Sequence, residues 1–94
     1  MRVRWTRLAL ADLIAARDHL VSENPVAAEA MLRTVREAVQ KLRKHPRMGR
    51  VVPERRSLGY REIILPPFRL VYAVARDEVQ VLRFWHARRD PTGM

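Results

Sequence analysis

Between positions 60 and 89 apolar and polar residues alternate with a period of two. The stretch reads YREIILPPFRLVYAVARDEVQVLRFWHARR, and its middle run puts Leu70, Tyr72 and Val74 on one side and Arg69, Val71 and Ala73 on the other. Pro66-Pro67 interrupts the first connection because proline brings no ladder donor, and Asp77-Glu78 makes a short polar second connection. The pattern predicts three antiparallel strands, two hairpins sharing the middle one, with a solvent-facing charged side that carries Arg69.

Upstream the period changes. Arg2 to Trp5 alternates charged with apolar and predicts a short edge strand. Thr6 then suits a helix N-cap, and Leu10, Leu13, Ile14, Leu20 and Val21 recur at helical spacing through Glu23 as a stripe to be buried. Asn24-Pro25 ends that helix and starts another, because asparagine caps and proline fits the first helical position. The second helix runs to about Lys44 with Ala28, Leu32, Val35, Val39 and Leu42 inward and a Glu29, Arg33, Glu37, Lys41 ladder outward. Positions 46–58, PRMGRVVPERRSL, show no sustained period and read as a long loop. After position 88, Pro91 and Gly93 oppose regular structure. An apolar stripe on a helix hairpin has only the following sheet to pack on. The fold class is therefore α+β, an N-terminal antiparallel helix hairpin on a small antiparallel β-sheet, with residues 1–94 as a single domain.

Charge changes the picture next. Seventeen Arg and two Lys stand against ten acids, a net charge of +9, which points to a polyanionic partner. Arg36, Lys41, Arg43, Lys44, Arg47, Arg50, Arg55 and Arg56 face only Glu37 and Glu54 in their span, so the basic zone is local. With no cysteine there is no disulfide framework, thiolate nucleophile or zinc-thiolate site, and a reducing, cytoplasmic setting is the expectation. His19, His45 and His86 lack metal-site spacing, so no metal and no cofactor are expected. No apolar run has the roughly 18–20 residues of a membrane span, and Asp12 interrupts the signal-like LALADLIAA that follows Arg2, Arg4 and Arg7.

Candidate chemistry gathers on the strands. Arg61, Arg69, Arg83, His86, Arg88 and Arg89 suit a phosphate-facing surface, since guanidinium forks grip phosphate in bidentate fashion; the plainer reading is ordinary surface charge. His86 is the natural acid or base if the site does chemistry, and otherwise a hydrogen-bonded structural residue. Glu62 reads as a salt-bridge partner. Tyr60 and Tyr72 read as packing residues, and of Phe84 and Trp85, on opposite faces, one belongs to the core and the other is free to stack on a partner.

FRLVYAV, a short turn and VQVLRFWHARRDP, preceded by HPRMGRVVPE and YREI, resemble the RelE/ParE superfamily of toxins from type II toxin–antitoxin systems, over nearly the whole chain. The resemblance implies a growth-inhibiting toxin of plasmid-stabilisation type. Its partner would be a cognate antitoxin encoded nearby, acidic or amphipathic, with which it forms a hetero-oligomer, and its target DNA gyrase (ParE-like) or the ribosome with mRNA (RelE-like). Under the ribonuclease reading, Arg61, Arg69, Arg83 and His86 are the catalytic candidates. Ile63 stands where a second lysine is expected, however, and no tyrosine follows the last strand. The ending WHARRDP is closer to ParE-type chains and favours gyrase binding. Target or antitoxin binding falls to Arg47, Arg50, Arg55, Arg56, Trp85, Arg88 and Arg89. A non-toxic binding module of the same fold is the remaining alternative.

Overall fold

A computed structural model describes residues 1–88. Strand β1 (Arg2–Trp5) leads into helices α1 (Arg7–Glu23) and α2 (Pro25–Lys44), then strand β2 (Arg50–Val51), a 3-10 segment (Pro53–Leu58), and strands β3 (Arg61–Leu65), β4 (Phe68–Ala75) and β5 (Glu78–His86). The caps are where the sequence places them. The Thr6 hydroxyl accepts from the Ala9 N–H at 3.2 Å. Asn24 serves both helices: its N–H donates to the Leu20 carbonyl at 2.6 Å, and its side chain accepts from Val26 and Ala27.

The sheet order is β1-β5-β4-β3-β2, and β3, β4 and β5 are the antiparallel trio that the alternation predicts. The sheet is nevertheless mixed, since β1 pairs with β5 in parallel, Val3 opposite Val79 and Trp5 opposite Val81. No tight turn joins β1 to its neighbour, so nothing imposes antiparallel pairing there. The loop expected over 46–58 is also more ordered than its sequence suggests. Val51 pairs with Arg61, and Val52 is fully buried with its N–H on the Tyr60 carbonyl at 2.8 Å. Two valines are too short a run to show a period, yet they suffice to pin the segment to β3.

Ala9, Val35 and Leu42 from the helices meet Leu70, Tyr72, Val79, Val81 and Phe84 from the sheet in one core. Helix α1 differs from expectation. Leu10, Ile14 and Val21 remain 48%, 41% and 47% exposed, while Ala9 is fully buried. The helix turns its small side to the sheet because Asp12 reaches the free edge of β5, where its carboxylate accepts from the Phe84 N–H at 3.0 Å. That bond, with Thr6 N–H on the Val81 carbonyl and Thr6 O–H on the Leu82 carbonyl, satisfies β5 where β1 stops and fixes the rotation of α1. Among the described residues no helix is long and apolar enough to cross a membrane.

Candidate functional site

Cross-strand register decides which candidate residues share a face. Ile64, Arg69 and Trp85 lie opposite one another, as do Glu62, Val71 and Arg83, all on the side away from Leu70 and Phe84. The charged centre of this face is buried, while Ile64 and Arg50 at its margin are exposed. Arg69 is 6% exposed and Glu62 2%, and Arg69 Nη1 donates to Glu62 Oε1 at 3.0 Å. Arg50, whose side chain is 67% exposed, donates through Nε to the other oxygen at 2.6 Å. Arg83 makes a bidentate pair with Asp12, at 2.8 and 3.0 Å, with its guanidinium 4.5 Å from the centroid of the Trp85 ring. The hydrogen bonds to Asp12 push the Arg83 guanidinium further above its ordinary pKa. The expectation of a solvent-facing Arg69 is thus corrected. Alternation reports which face a residue takes, not whether that face is covered, and a carboxylate on the neighbouring strand makes burial of the arginine tolerable.

The other candidates lie elsewhere. Arg61 is on the helix side of the sheet and donates to the carbonyls of Gly49, at 2.8 Å, and Arg47, at 3.2 Å. Beside it the Gly49 N–H donates to the buried Tyr72 hydroxyl at 2.9 Å, and burial raises the Tyr72 pKa despite that bond. A side chain at position 49 would meet the Glu62 carbonyl at 2.7 Å and the Tyr72 ring at 2.8 Å, so this close approach requires glycine. His86 is exposed at the end of β5, on the side opposite Arg69, edge-on to Phe68 at 6.0 Å and accepting at Nδ1 from the Arg88 N–H at 3.3 Å. The structure therefore brings Arg69 and Arg83 to one face with Trp85 between them, and leaves Arg61 and His86 on the other.

Of the residues read as target-binding, Arg47, Arg50, Arg56 and Arg88 are exposed and Arg55 is half-buried. Trp85 is 3% exposed, so the free stacking ring expected from Phe84 and Trp85 is not there; both are interior. Arg89 lies outside the described residues. Asp12 and Gly49 were missed as organising residues, and Thr6, read as a helix cap, also bonds the edge of β5. A lone acid inside an apolar helical run was the signal for Asp12. Among the described residues no three His, Asp or Glu side chains are grouped to hold a metal.

Among the concave apolar features that adjoin these elements is a groove of about 370 Å³ between α1 and α2, lined by Trp5, Leu10, Leu13, Leu32 and Val39, with Arg36 on its wall. The Leu10 that α1 leaves exposed forms part of it.

Comparison with known proteins places this architecture. The family model for the ParE toxin of the type II toxin–antitoxin system parDE matches residues 3–91. "Toxin RelE2" of Caulobacter vibrioides is 36% identical over 89 residues, covering 94% of this chain and 97% of that protein. "Putative toxin Y4kP" of Sinorhizobium fredii is 31% identical over 91 residues, 95% and 91% of the two chains. A solved structure of the chromosomal ParDE system from P. aeruginosa superposes with a TM-score of 0.73 at 33% identity, over 92% of this chain and 95% of that one. The chain belongs to the ParE toxin family of type II toxin–antitoxin systems.

Proposed function

We propose that this toxin arrests growth in the cytoplasm by binding DNA gyrase, not by cutting mRNA on the ribosome. The observation that carries the reading is the dispersal of the four nuclease candidates. In-line attack by a ribose 2′-OH needs an acid or base within hydrogen-bond reach of the moving proton and cations on the developing phosphorane. Here Arg69 and Arg83 are each held by a carboxylate, Arg61 is occupied by backbone carbonyls, and His86 stands on the opposite face from the first two.

The expected partner is an antitoxin whose acidic, amphipathic segment fills the α1–α2 groove, apolar side chains on Leu10, Leu13, Leu32 and Val39 and a carboxylate on Arg36. The exposed apolar stripe of α1 supports this, since a free surface of that kind favours a partner. The test pairs two assays on the purified toxin. Inhibited supercoiling, relieved by antitoxin, with ribosome-bound mRNA left intact, is the expected result. Unchanged supercoiling with new mRNA 5′ ends by primer extension moves the assignment to a ribonuclease. Neither effect, with normal growth on overexpression, leaves a non-toxic binding module.

A further inference from the structure

We propose that the outward side of the second half of α2, with the turn that follows, is a contact surface for the phosphodiester backbone of nucleic acid. Arg33, Arg36, Arg43 and Lys44 fall within about 100° of the helix circumference and along about 17 Å of its axis, from the regular α-helical repeat. Arg47 follows just beyond, and all five are exposed. Among the described residues no carboxylate holds any of the five, which is also true of exposed cations elsewhere such as Arg7 and Arg76; what distinguishes the five is that they lie together on one surface. Ion pairs among the described residues engage other cations: Arg2 and Arg4 with Glu78, Arg17 with Asp18, Arg50 and Arg69 with Glu62, Arg83 with Asp12, and His19 with Glu23. Glu29 and Glu37, on the same helix, make no ion pair with the five. The acids that form ion pairs lie on α1 and the sheet, Glu29 and Glu37 flank Arg33 on the ridge, and the C-terminal part of the ridge, from Arg43 through Lys44 to Arg47, contains no acid.

The chemistry of the ridge selects among polyanions. An acidic protein segment needs apolar anchors to bind tightly, and a membrane needs an apolar stripe to insert. Among the described residues the large apolar side chains exposed near the C-terminal half of this ridge are Met1, whose ammonium donates to the Arg43 carbonyl, and Met48, too few to form an inserting stripe, and the groove begins at Arg36. Arginine predominates over lysine, which suits bidentate contact with phosphate. Complementing the helix dipole accounts for Arg43 and Lys44 in the last turn, but not for Arg33 and Arg36 two turns earlier. The surface meets the proposed antitoxin groove at Arg36, whereas Arg43, Lys44 and Arg47 lie outside the groove lining and stay available when it is filled, and the inference stands whether or not gyrase is the target.

The experiment measures binding of the full chain to a labelled random duplex of about 20 base pairs between roughly 50 and 200 mM salt, where about four phosphate contacts predict a loss of affinity near 100-fold. The variant R43Q/K44Q/R47Q is compared with R7Q/R76Q/R88Q, which removes three exposed, unpaired cations elsewhere; circular dichroism verifies that both fold. The ridge variant is expected to flatten the logarithmic salt slope by about 2 to 3 and to weaken low-salt binding at least about tenfold, the other variant to change the slope by less than about 1. An RNA duplex in parallel shows which nucleic acid is preferred; either preference supports a phosphate surface. Equal effects of the two triple variants overturn the proposal. So does polyglutamate or an anionic lipid vesicle binding as tightly as the duplex.

Discussion

Replacing Arg69 with alanine tests the buried pair on the far face of the sheet. The substitution leaves the Glu62 carboxylate, whose side chain has no solvent exposure, with Arg50 as its other paired cation. Removing one member of a buried ion pair costs about 3–5 kcal/mol, because the other charge stays in a poorly solvated site. Arg50 retains part of the compensation at 2.6 Å, which places the expected loss near the lower limit, about 3 kcal/mol. For a domain of this size each kcal/mol moves the midpoint by about 4–8 °C, so Tm should fall by about 12–24 °C. A total stability of about 5–15 kcal/mol makes such a loss severe, and toxicity lost in this variant cannot by itself be read as a lost phosphate contact. The measurement is thermal unfolding by circular dichroism at neutral pH. The double variant Arg69→Met with Glu62→Leu should recover much of the loss, because two apolar groups of similar size leave no unpaired charge. If the single variant melts within about 2 °C of the parent, the pair is not structural and the argument from burial fails.

Asp12→Ala removes the acceptor for both Arg83 and the Phe84 N–H; a loss of about 2–3 kcal/mol in urea unfolding is expected, and a neutral result would show that α1 does not depend on this bond for its rotation. Gly49→Ala should cost at least about 1–3 kcal/mol through overpacking against Tyr72 and the Glu62 carbonyl, seen as a lower melting midpoint; an unchanged midpoint would mean that the turn yields freely. Hydrogen bonds from Gln80 and Arg2 hold the Glu78 carboxyl down to about 2 from 4.5. A depressed carboxylate pKa stabilises the fold above the unfolded value and loses that contribution as pH falls, so attachment of β1 should weaken between pH 4.5 and 2. Glu78→Gln should flatten stability across that window, and an identical pH profile in the variant would exclude the clamp. Leu32→Asp should destabilise far more than Arg33→Ala, since Leu32 lines the interhelical groove and Arg33 is exposed; equal melting midpoints would contradict the packing of α2.

The parts of the fold legible in the sequence were those with enough repeats to show a period. Four alternations on β4 identified its apolar side, and Thr6, Asn24 and Pro25 marked the helix boundaries within a residue. Features that depend on neighbours distant in sequence were not legible. The parallel pairing of β1, the burial of Arg69 against Glu62, and the outward turn of Leu10, Ile14 and Val21 each depend on contacts that no local window contains. Asp12 illustrates the difference: locally it is a polar interruption, and only beside Phe84, 72 positions later, does it become an edge cap. For the same reason the candidate set of Arg61, Arg69, Arg83 and His86 looked continuous along the strands, whereas strand pairing divides it between two faces.

The parallel pairing of β1 with β5 bears on the order in which the molecule is completed during synthesis. The first strand and both helices emerge early, but β1 and the capping groups of Thr6 and Asp12 find their partners only once residues 78–84 have been made. Until then the helix pair has no sheet to cover Ala9, Val35 and Leu42, and the nascent chain presents them to solvent. Assembly is consequently gated late. A translation product stalled before residue 78 lacks the strand that joins the two halves, so the folded surface of this toxin forms only after residues 78–84 have been made.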